Sequence, residues 1–279
     1  MLGDMESAEV KYQKAIAGFR LLQHRQALSR NYFNLGDICR FQGRFDLSID
    51  HLERSVEVRS EIDDLAGIVA SYYYLAETHA MMGDWGSAKN STQKAIEIAS
   101  EIGHSQFIQE GQIREQLNIL SEGQFVEEVA LNNLKPDQSG KIENRILWYT
   151  LCCRNTQVKG AGKISSVLES EILELIDQLF SMPTSVNLCL LSASIAPLMS
   201  DSENAKALLE RVVAYPQIPP GAPLDMVLSA RALLESPDSQ EREEWESRAM
   251  AAVEERSKLI ERPADRRRFL KARLRRLEE

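Results

Sequence analysis

The sequence is poor in the residues that interrupt or crosslink a chain. Its 279 residues include only 4 cysteines, 9 prolines and 14 glycines. The cysteines show neither CxxC spacing nor the density of a disulfide framework, so they favour buried thiols in a reducing cytoplasm over a redox or metal site. Because proline and glycine are the strongest helix breakers, their scarcity leaves long stretches free to be helical.

Long apolar runs and an excess of basic charge are also missing. The most apolar stretch, residues 188–199, contains Ser192, Ser194 and Pro197 and falls short of the ~20 apolar residues that span a bilayer. Residues 1–20 are charged throughout, unlike a signal peptide. The net charge of −9 disfavours a protein that mainly binds the nucleic-acid backbone. We therefore expect a soluble, cytoplasmic protein without a membrane segment, for which nucleic acid is a disfavoured partner.

Motifs for catalysis, metals and cofactors are not found. Residues 160–163, GAGK, resemble part of a phosphate loop, but that motif needs glycine at position 157 and serine or threonine at 164, where the chain has Gln157 and Ile164. None of the histidines has a carboxylate or cysteine at metal-ligand spacing. These isolated histidines are His24, His51, His79 and His104. The sequence therefore predicts no cofactor, no metal and no enzymatic activity.

The main positive feature is a repeat with a period of 40 residues. It is marked by glycines at Gly3, Gly43, Gly83 and Gly123. A large apolar residue follows two positions later, as Met5, Phe45, Trp85 and Phe125. Small residues recur five and twelve positions after the glycine, as Ala8, Ser48 and Ala88 and as Ala15, Ser55 and Ala95. After the fourth glycine Glu128 and Lys135 replace these small residues, so the pattern decays there.

The spacing has a direct physical meaning. Residues 32–58 read as two amphipathic helices joined by a turn at Gly43, where glycine can take positive φ and end the first helix. A small residue such as Gly36 lets the two helices lie close together, and Phe45 fills the space between hairpins. Since a single hairpin cannot bury both of its faces, neighbouring hairpins must stack.

This pattern resembles the tetratricopeptide repeat, in its variant with longer helices and a period near 40 residues, as found in bacterial signalling and regulatory proteins. The residues that carry the match are the pairs Leu35–Gly36 and Leu75–Ala76, the glycines Gly43 and Gly83, and the aromatic residues Phe45 and Trp85. The resemblance implies an all-α fold, a superhelical solenoid of antiparallel helix–turn–helix hairpins.

We expect two regions. Residues 1–135 would hold a partial first repeat, two full repeats and one degenerate repeat, and residues 136–279 degenerate hairpins of the same kind with a C-terminal capping helix. The boundary is the proline- and glycine-marked segment KPDQSGK, residues 135–141. Because the first helix has no preceding partner, the chain is expected to begin in mid-repeat, either as a piece of a longer protein or from a start other than Met1.

In tetratricopeptide proteins the first helix of each hairpin lines a concave groove that holds a peptide. The groove residues that the resemblance implies here are Arg30, Phe33, Asp37, Arg40 and Phe41, then Tyr73, Glu77 and Met81, then Ile113 and Leu117. Their helical spacing places each set on one face. Aromatics mixed with both charge signs suit an amphipathic peptide with apolar anchors. The alternative interpretation is that the aromatic members only pack between hairpins.

Residues 262–276 are strongly basic, with eight arginines and lysines against the single acid Asp265. One interpretation is a terminal capping helix that packs its apolar residues inward and leaves its arginines in solvent. Those apolar residues are Phe269, Leu270, Leu274 and Leu277. The other interpretation is a contact with RNA or with an acidic partner.

The sequence thus predicts a non-catalytic scaffold or adaptor that binds a partner protein or peptide in the groove of its repeats. Two alternatives stay open. The chain could be the regulatory or sensor segment of a larger bacterial signalling protein, such as a kinase, ATPase or transcriptional regulator. It could also contact nucleic acid through the arginine-rich C-terminal helix. The sequence names no partner and indicates no oligomeric state.

Overall fold

A computed structural model of the chain describes residues 2–121, 124–137, 142–160, 162–180, 186–216 and 220–278. Across these residues the regular structure is helical and includes no strand, which confirms the predicted all-α class. The helices are α1 (Leu2–Leu21), α2 (Arg25–Phe41), α3 (Phe45–Ser60), α4 (Leu65–Met81), α5 (Trp85–Glu101), α6 (Ser105–Ser121), α7 (Glu128–Asn133), α8 (Ile142–Val158), α9 (Ser166–Phe180), α10 (Val186–Ile195), α11 (Ser202–Val213), α12 (Leu224–Ala232), α13 (Gln240–Lys258) and α14 (Pro263–Glu278). A short 3₁₀ helix, Ala196–Leu198, follows α10.

One kind of turn connects the first six helices, at each of the five junctions from α1 to α6. In each turn one residue has positive φ, namely Gln23 (53°), Gly43 (79°), Asp63 (53°), Gly83 (77°) and Gly103 (64°). These positions lie 20 residues apart, so the 40-residue period consists of two equal helix–turn units. Gln23 and Asp63 hold this conformation without the freedom of glycine, which is why the glycine pattern misses them. Gly3 instead lies inside α1, and Gly123 is outside the described residues.

The residue after each positive-φ position immediately precedes the next helix, and in four of the five turns its side chain caps that helix. A carboxylate or imidazole accepts a hydrogen bond from an otherwise unpaired backbone N–H of the first turn. The capping residues are His24, Asp64, Asp84 and His104. Two of the four isolated histidines therefore have a structural role at a helix N-terminus.

The chain divides into two compact units. Unit 1 comprises Met1–Glu115 and Ser257–Ala272, and unit 2 comprises Gln116–Arg256 and Arg273–Glu279. The segment that we expected as a boundary, residues 135–141, falls within unit 2, and its residues 138–141 are outside the described residues. Unit 1 is discontinuous in sequence, because residues 257–272 return to the repeats.

Within unit 1 the small residues of the repeat stand where helices meet. A Cβ atom on Gly36 would lie 2.8 Å from Leu52 Cγ, so a larger residue there would push α2 away from α3. Ser55 and Ala95 are fully buried, and so is Phe45. These positions are the ones that the repeat pattern assigned to close helix contacts.

The returning segment, residues 257–272, covers the turn end of two hairpins in unit 1. The ring of Phe269 is fully buried and lies 6.1 Å from the ring of Phe45. Gly83 lies so close to Ala272 that a Cβ on the glycine would be 2.1 Å from the alanine Cβ. Phe269 is therefore packed inward, as the capping interpretation of the basic segment expects, and the segment lies against the repeats of unit 1. The side chain of Leu277 is outside the described residues.

Unit 2 has its own core, to which α8, α10 and α12 contribute fully buried residues such as Leu151, Leu188 and Val227. The Asn155 side chain joins the segment before α7 to α8, since it accepts a hydrogen bond from the Val126 N–H (2.7 Å) and donates one to the Val126 carbonyl (3.0 Å). All four cysteines of the chain are free and buried. Among the described helices, none combines the length and apolar character needed to cross a bilayer.

Candidate functional site

A chain of ion pairs links the first helices of successive hairpins in unit 1. On α2, Asp37 Oδ1 accepts hydrogen bonds from Arg40 Nε (3.1 Å) and Nη2 (2.6 Å). Arg40 Nη1 also donates to Glu77 Oε1 on α4, at 2.7 Å. Because a guanidinium has five donors in a rigid fork, one arginine can hold carboxylates on two helices at once.

The same chain continues to α6. Glu77 Oε2 lies 3.6 Å from Arg114 Nη2, and Arg114 donates through Nε and Nη2 to Glu110 Oε1, at 3.1 and 2.9 Å. We call the surface that carries Asp37, Arg40, Glu77, Glu110 and Arg114 the first-helix face. Two arginines and three carboxylates alternate along it, so its charges are largely matched internally.

Aromatic rings lie beside these charges. Phe33 on α2 packs against Tyr74 on α4 with ring centroids 4.6 Å apart. The Arg40 guanidinium lies 4.6 Å from the Phe41 ring centroid and 5.2 Å from that of Tyr74, which is cation–π range. Phe33, Phe41 and Tyr74 are all partly exposed. The face therefore combines accessible rings with carboxylates.

The environment shifts the carboxyl groups of this face in opposite directions. Burial raises the pKa of Asp37, and the neighbouring Arg40 only partly offsets that rise. Burial also works against the charged form of Glu77, but Arg40 and Arg114 outweigh it, so the pKa of Glu77 lies below its usual value. Glu77, between two arginines, is the electrostatic centre of the face.

The structure separates the predicted groove residues into two groups. Exposed or partly exposed are Arg30, Phe33, Asp37, Phe41, Glu77 and Leu117. Buried are Arg40, Tyr73, Met81 and Ile113. Tyr73 is 1% exposed, donates a hydrogen bond to the Phe107 carbonyl and packs with Val69 and Ala99, so its ring faces the interior. The packing interpretation describes the observed environment of Tyr73, and Met81 and Ile113 are likewise buried at 5% and 0% exposure.

Three residues of the face were not among those expected, namely Tyr74, Glu110 and Arg114. Two signals in the sequence could have found them. Residues 72–74 are three consecutive tyrosines, and Tyr74 stands three positions before Glu77, a spacing that places both on one side of a helix. Glu110 and Arg114 have the i, i+4 spacing of a helical ion pair.

The arginines of the returning segment are largely engaged within unit 1. The Arg262 N–H donates to Asp46 Oδ2 at 2.7 Å, and the Arg262 side chain pairs with Asp50. Arg268 pairs with Asp84, a residue that also caps α5. These contacts use the arginines to attach the segment to the repeats.

The geometry of the first-helix face suits binding rather than chemistry. Its carboxylates are held by arginines, and within the described part of the chain no cluster of histidine, cysteine, aspartate and glutamate could hold a metal. The face presents partly exposed aromatic rings and carboxylates, carried by helices α2, α4 and α6, to a ligand.

Comparison with known proteins supports the fold. A family model of the tetratricopeptide repeat matches residues 1–61 and 25–101. No curated protein matches the chain. Among solved structures, the chain is similar to NprR in complex with its cognate peptide NprX, with a TM-score of 0.51 and 12% sequence identity over 99% of this chain and 84% of that chain. Identity this low shows a shared fold and no more. The family model thus identifies tetratricopeptide repeats in residues 1–101, and the structural similarity extends the helical fold over the rest of the chain.

Proposed function

We propose that unit 1 binds a peptide segment of a partner protein along the first-helix face, and that the protein acts as a non-catalytic scaffold or adaptor. The observation that carries this proposal is the connected row of ion pairs and rings across α2, α4 and α6. Because these side chains hold one another in place, the surface is preformed and a ligand has little of it to order.

The chemistry of the face indicates the kind of peptide. Asp37 and Glu77 keep 27% and 22% of their side chains exposed, beside the rings of Phe33, Phe41 and Tyr74. Partly exposed rings supply pockets for apolar anchors, and the carboxylates accept hydrogen bonds from backbone amides or basic side chains. We therefore expect an amphipathic peptide with apolar anchor residues.

Two further facts are consistent with the proposal. NprR, which has a similar fold, was solved with a bound peptide, so a helical stack of this type accommodates such a ligand. The four free, buried cysteines fit a protein that works in a reducing compartment, which supports a cytoplasmic location.

The test is to select peptides on the full chain by phage display and to measure the affinity of a selected peptide by fluorescence polarisation. Replacement of both Phe33 and Phe41 by alanine should weaken binding at least ~10-fold, because truncated aromatic anchors typically lose well over 1 kcal/mol. Tyr73 is not a useful target, since it is 1% exposed and its loss would cost stability.

The matched control is Phe125→Ala, which removes an aromatic ring that is 55% exposed and lies outside the first-helix face. This control should bind the peptide as the wild type does. Equal affinities of the wild type and the double variant would overturn the proposal, provided that circular dichroism shows the same helix content.

A further inference from the structure

We propose that unit 2 contains a pocket for a small carboxylic acid with an apolar body. The pocket lies among α8, α10, the 3₁₀ helix and α12, with Leu120 of α6 and Arg273 of α14 also lining it. Its volume of about 460 Å³ is within the range of roughly 300–1,000 Å³ that is usual for small-molecule sites. All of its lining residues belong to unit 2, so the proposal does not depend on the first-helix face.

The polar side of the pocket has an excess of positive charge. Asp225 is its one acidic lining residue, and that carboxylate already binds Arg256 and lies 3.6 Å from Arg273 Nη1. Arg154 also lines the pocket, and among the described residues it makes no hydrogen bond and no ion pair. The pocket lining therefore holds two arginines, Arg154 and Arg273, and one carboxylate, which already contacts Arg273 and Arg256.

Arg154 is the arginine that an anion would satisfy. Burial lowers its pKa, and the positive charge of Arg273 lowers it further, so the positive charge of Arg154 is less well stabilised here than in water. An anion between the two guanidinium groups would remove this cost, since it would supply both an opposite charge and hydrogen-bond acceptors.

The available donors fit a carboxylate better than a phosphate. The hydroxyls of Ser194 and Ser229 donate to the carbonyls of Leu190 and Asp225 within their own helices. The guanidinium of Arg154 supplies the main remaining donors, and its planar fork matches the two oxygens of a carboxylate. A phosphate, with three acceptor oxygens and a higher charge, would leave acceptors unsatisfied in a partly buried site.

The opposite side of the pocket is apolar. Its apolar members include Leu120, Val158, Ala193, Pro197, Met226 and Leu233. Leu233 is 61% exposed, so the pocket is open to solvent on that side. Because the apolar wall and the arginines line one cavity, a ligand that joins an alkyl chain or ring to a carboxylate can meet both at once.

The test is isothermal titration calorimetry of the full chain with octanoate as the probe. We expect one octanoate per chain, and at least ~10-fold weaker binding of octanol, which keeps the alkyl chain and lacks the charge. Arg154→Gln should weaken octanoate binding at least ~10-fold without changing octanol binding. Arg248→Gln is the matched control, because this exposed arginine of unit 2 lies outside the pocket, and it should bind octanoate as the wild type does.

Several results would overturn the proposal. Equal affinities for octanoate and octanol would show that charge is not recognised, and unchanged octanoate binding by Arg154→Gln would place the site elsewhere. Inorganic phosphate that displaces octanoate at equal concentration would indicate a site for inorganic anions. Acetyl-leucyl-leucine binding far more tightly than octanoate would assign the pocket to a peptide terminus rather than to a small acid.

A second variant keeps the test valid if Arg154→Gln loses its helical circular dichroism. Leu233→Glu adds a negative charge on the exposed side of the pocket and should weaken octanoate binding several-fold while leaving octanol binding unchanged. Leu233→Gln is its control, since it makes the same change in shape without the charge. If the two Leu233 variants bind octanoate equally, the proposed recognition of charge is excluded.

Discussion

Unit 1 and unit 2 are both built from packed helices, yet they balance their charges differently. On the first-helix face of unit 1, two arginines alternate with three carboxylates. In unit 2, Arg256 and Arg273 both depend on Asp225, and Arg154 stands nearby without a carboxylate. The turns differ as well, since five of the six positive-φ residues in the described chain lie 20 residues apart in unit 1 and only Gly160 lies in unit 2.

The two units thus differ in how their buried arginines are paired with carboxylates. In unit 1 each arginine bridges neighbouring carboxylates, so the charged row is complete and helps to set the register of the repeats. In unit 2 the carboxylate that contacts two buried arginines, Asp225, is only 4% exposed, so solvent compensates for its loss less than at Glu77, which is 22% exposed. We therefore expect the same kind of substitution to cost more in unit 2 than in unit 1.

The largest effect is expected at Asp225, which is 4% exposed. Asp225→Ala would leave Arg256 and Arg273 buried without their shared carboxylate, at a cost of about 3–5 kcal/mol in the free energy of unfolding. Urea denaturation followed by circular dichroism measures this cost. The control Asp238→Ala changes an exposed aspartate of unit 2 and should stay within about 0.5 kcal/mol of the wild type.

The second prediction tests the contact between the returning segment and the repeats. Gly83→Ala places a Cβ in a turn with φ of 77° and against Ala272, so we expect a loss of about 2–4 kcal/mol. Gly103→Ala is the matched variant, because its φ is also positive, at 64°, but no atom lies within 4 Å of the added Cβ. It should lose only about 1–2 kcal/mol. Equal losses in thermal melts of the two variants would show that residues 257–272 do not press on this turn.

A smaller loss is expected for Glu77→Gln on the first-helix face. The variant keeps the shape and removes the charge shared by Arg40 and Arg114, which each retain another carboxylate. Since 22% of the Glu77 side chain is exposed, we expect about 1–2 kcal/mol, less than for Asp225→Ala. Glu101→Gln, at an exposed site on α5, is the control. A loss as large as that of Asp225→Ala would contradict the contrast between the units.

The pH dependence sharpens the same comparison. Because the pKa of Glu77 is lower in the folded protein than its usual 4.5, its stabilising contribution is complete above that pH and disappears as the pH falls below it. The difference in stability between the wild type and Glu77→Gln should therefore shrink as the pH falls below 4.5 and through the lowered pKa of Glu77. A difference that grows on acidification would mean that Glu77 is not stabilised by its arginines.

The smallest effect, and one of opposite sign, concerns the turns without glycine. Gln23→Gly and Asp63→Gly should each stabilise unit 1 by about 0.5–1 kcal/mol, because glycine adopts a φ of 53° without strain. Differential scanning calorimetry would detect the rise in melting temperature. Glu61→Gly, two residues earlier in an exposed position at negative φ, is the control and should not stabilise. A lower melting temperature for both turn variants would show that the side chains compensate for the strain.

Much of the fold could be predicted from the sequence because the repeat places small residues where helices meet and glycines where the chain turns. Gly43, Gly83 and the small residues at Gly36, Ser55 and Ala95 mark where turns and close contacts must fall, and the helices are found there. The 20-residue unit stayed hidden, since Gln23 and Asp63 hold the turn conformation without a recognisable residue type. A glycine in the pattern indicates a turn, but a turn at which another residue holds positive φ leaves no such sign in the sequence.

The binding face was predicted less completely, for a different reason. Phe33, Asp37 and Glu77 follow from helical spacing on α2 and α4, whereas the depth of Tyr73 depends on how α4 is rotated against α5 and α6. The return of residues 257–272 to Phe45 and Gly83 is a contact between distant parts of the sequence. No periodicity within either segment encodes that contact, so sequence reasoning could suggest a cap without saying what it covers.

That return also sets an order of events during synthesis. Helices α2 to α5 contact their neighbours in sequence, so they can form as soon as each hairpin has left the ribosome. By contrast, the hydrogen bond from the Arg262 N–H to the Asp46 carboxylate forms later, because Arg262 lies 216 residues further along the chain. Until then the ring of Phe45 lacks the Phe269 contact, and the nascent repeats carry an apolar patch at their turn end.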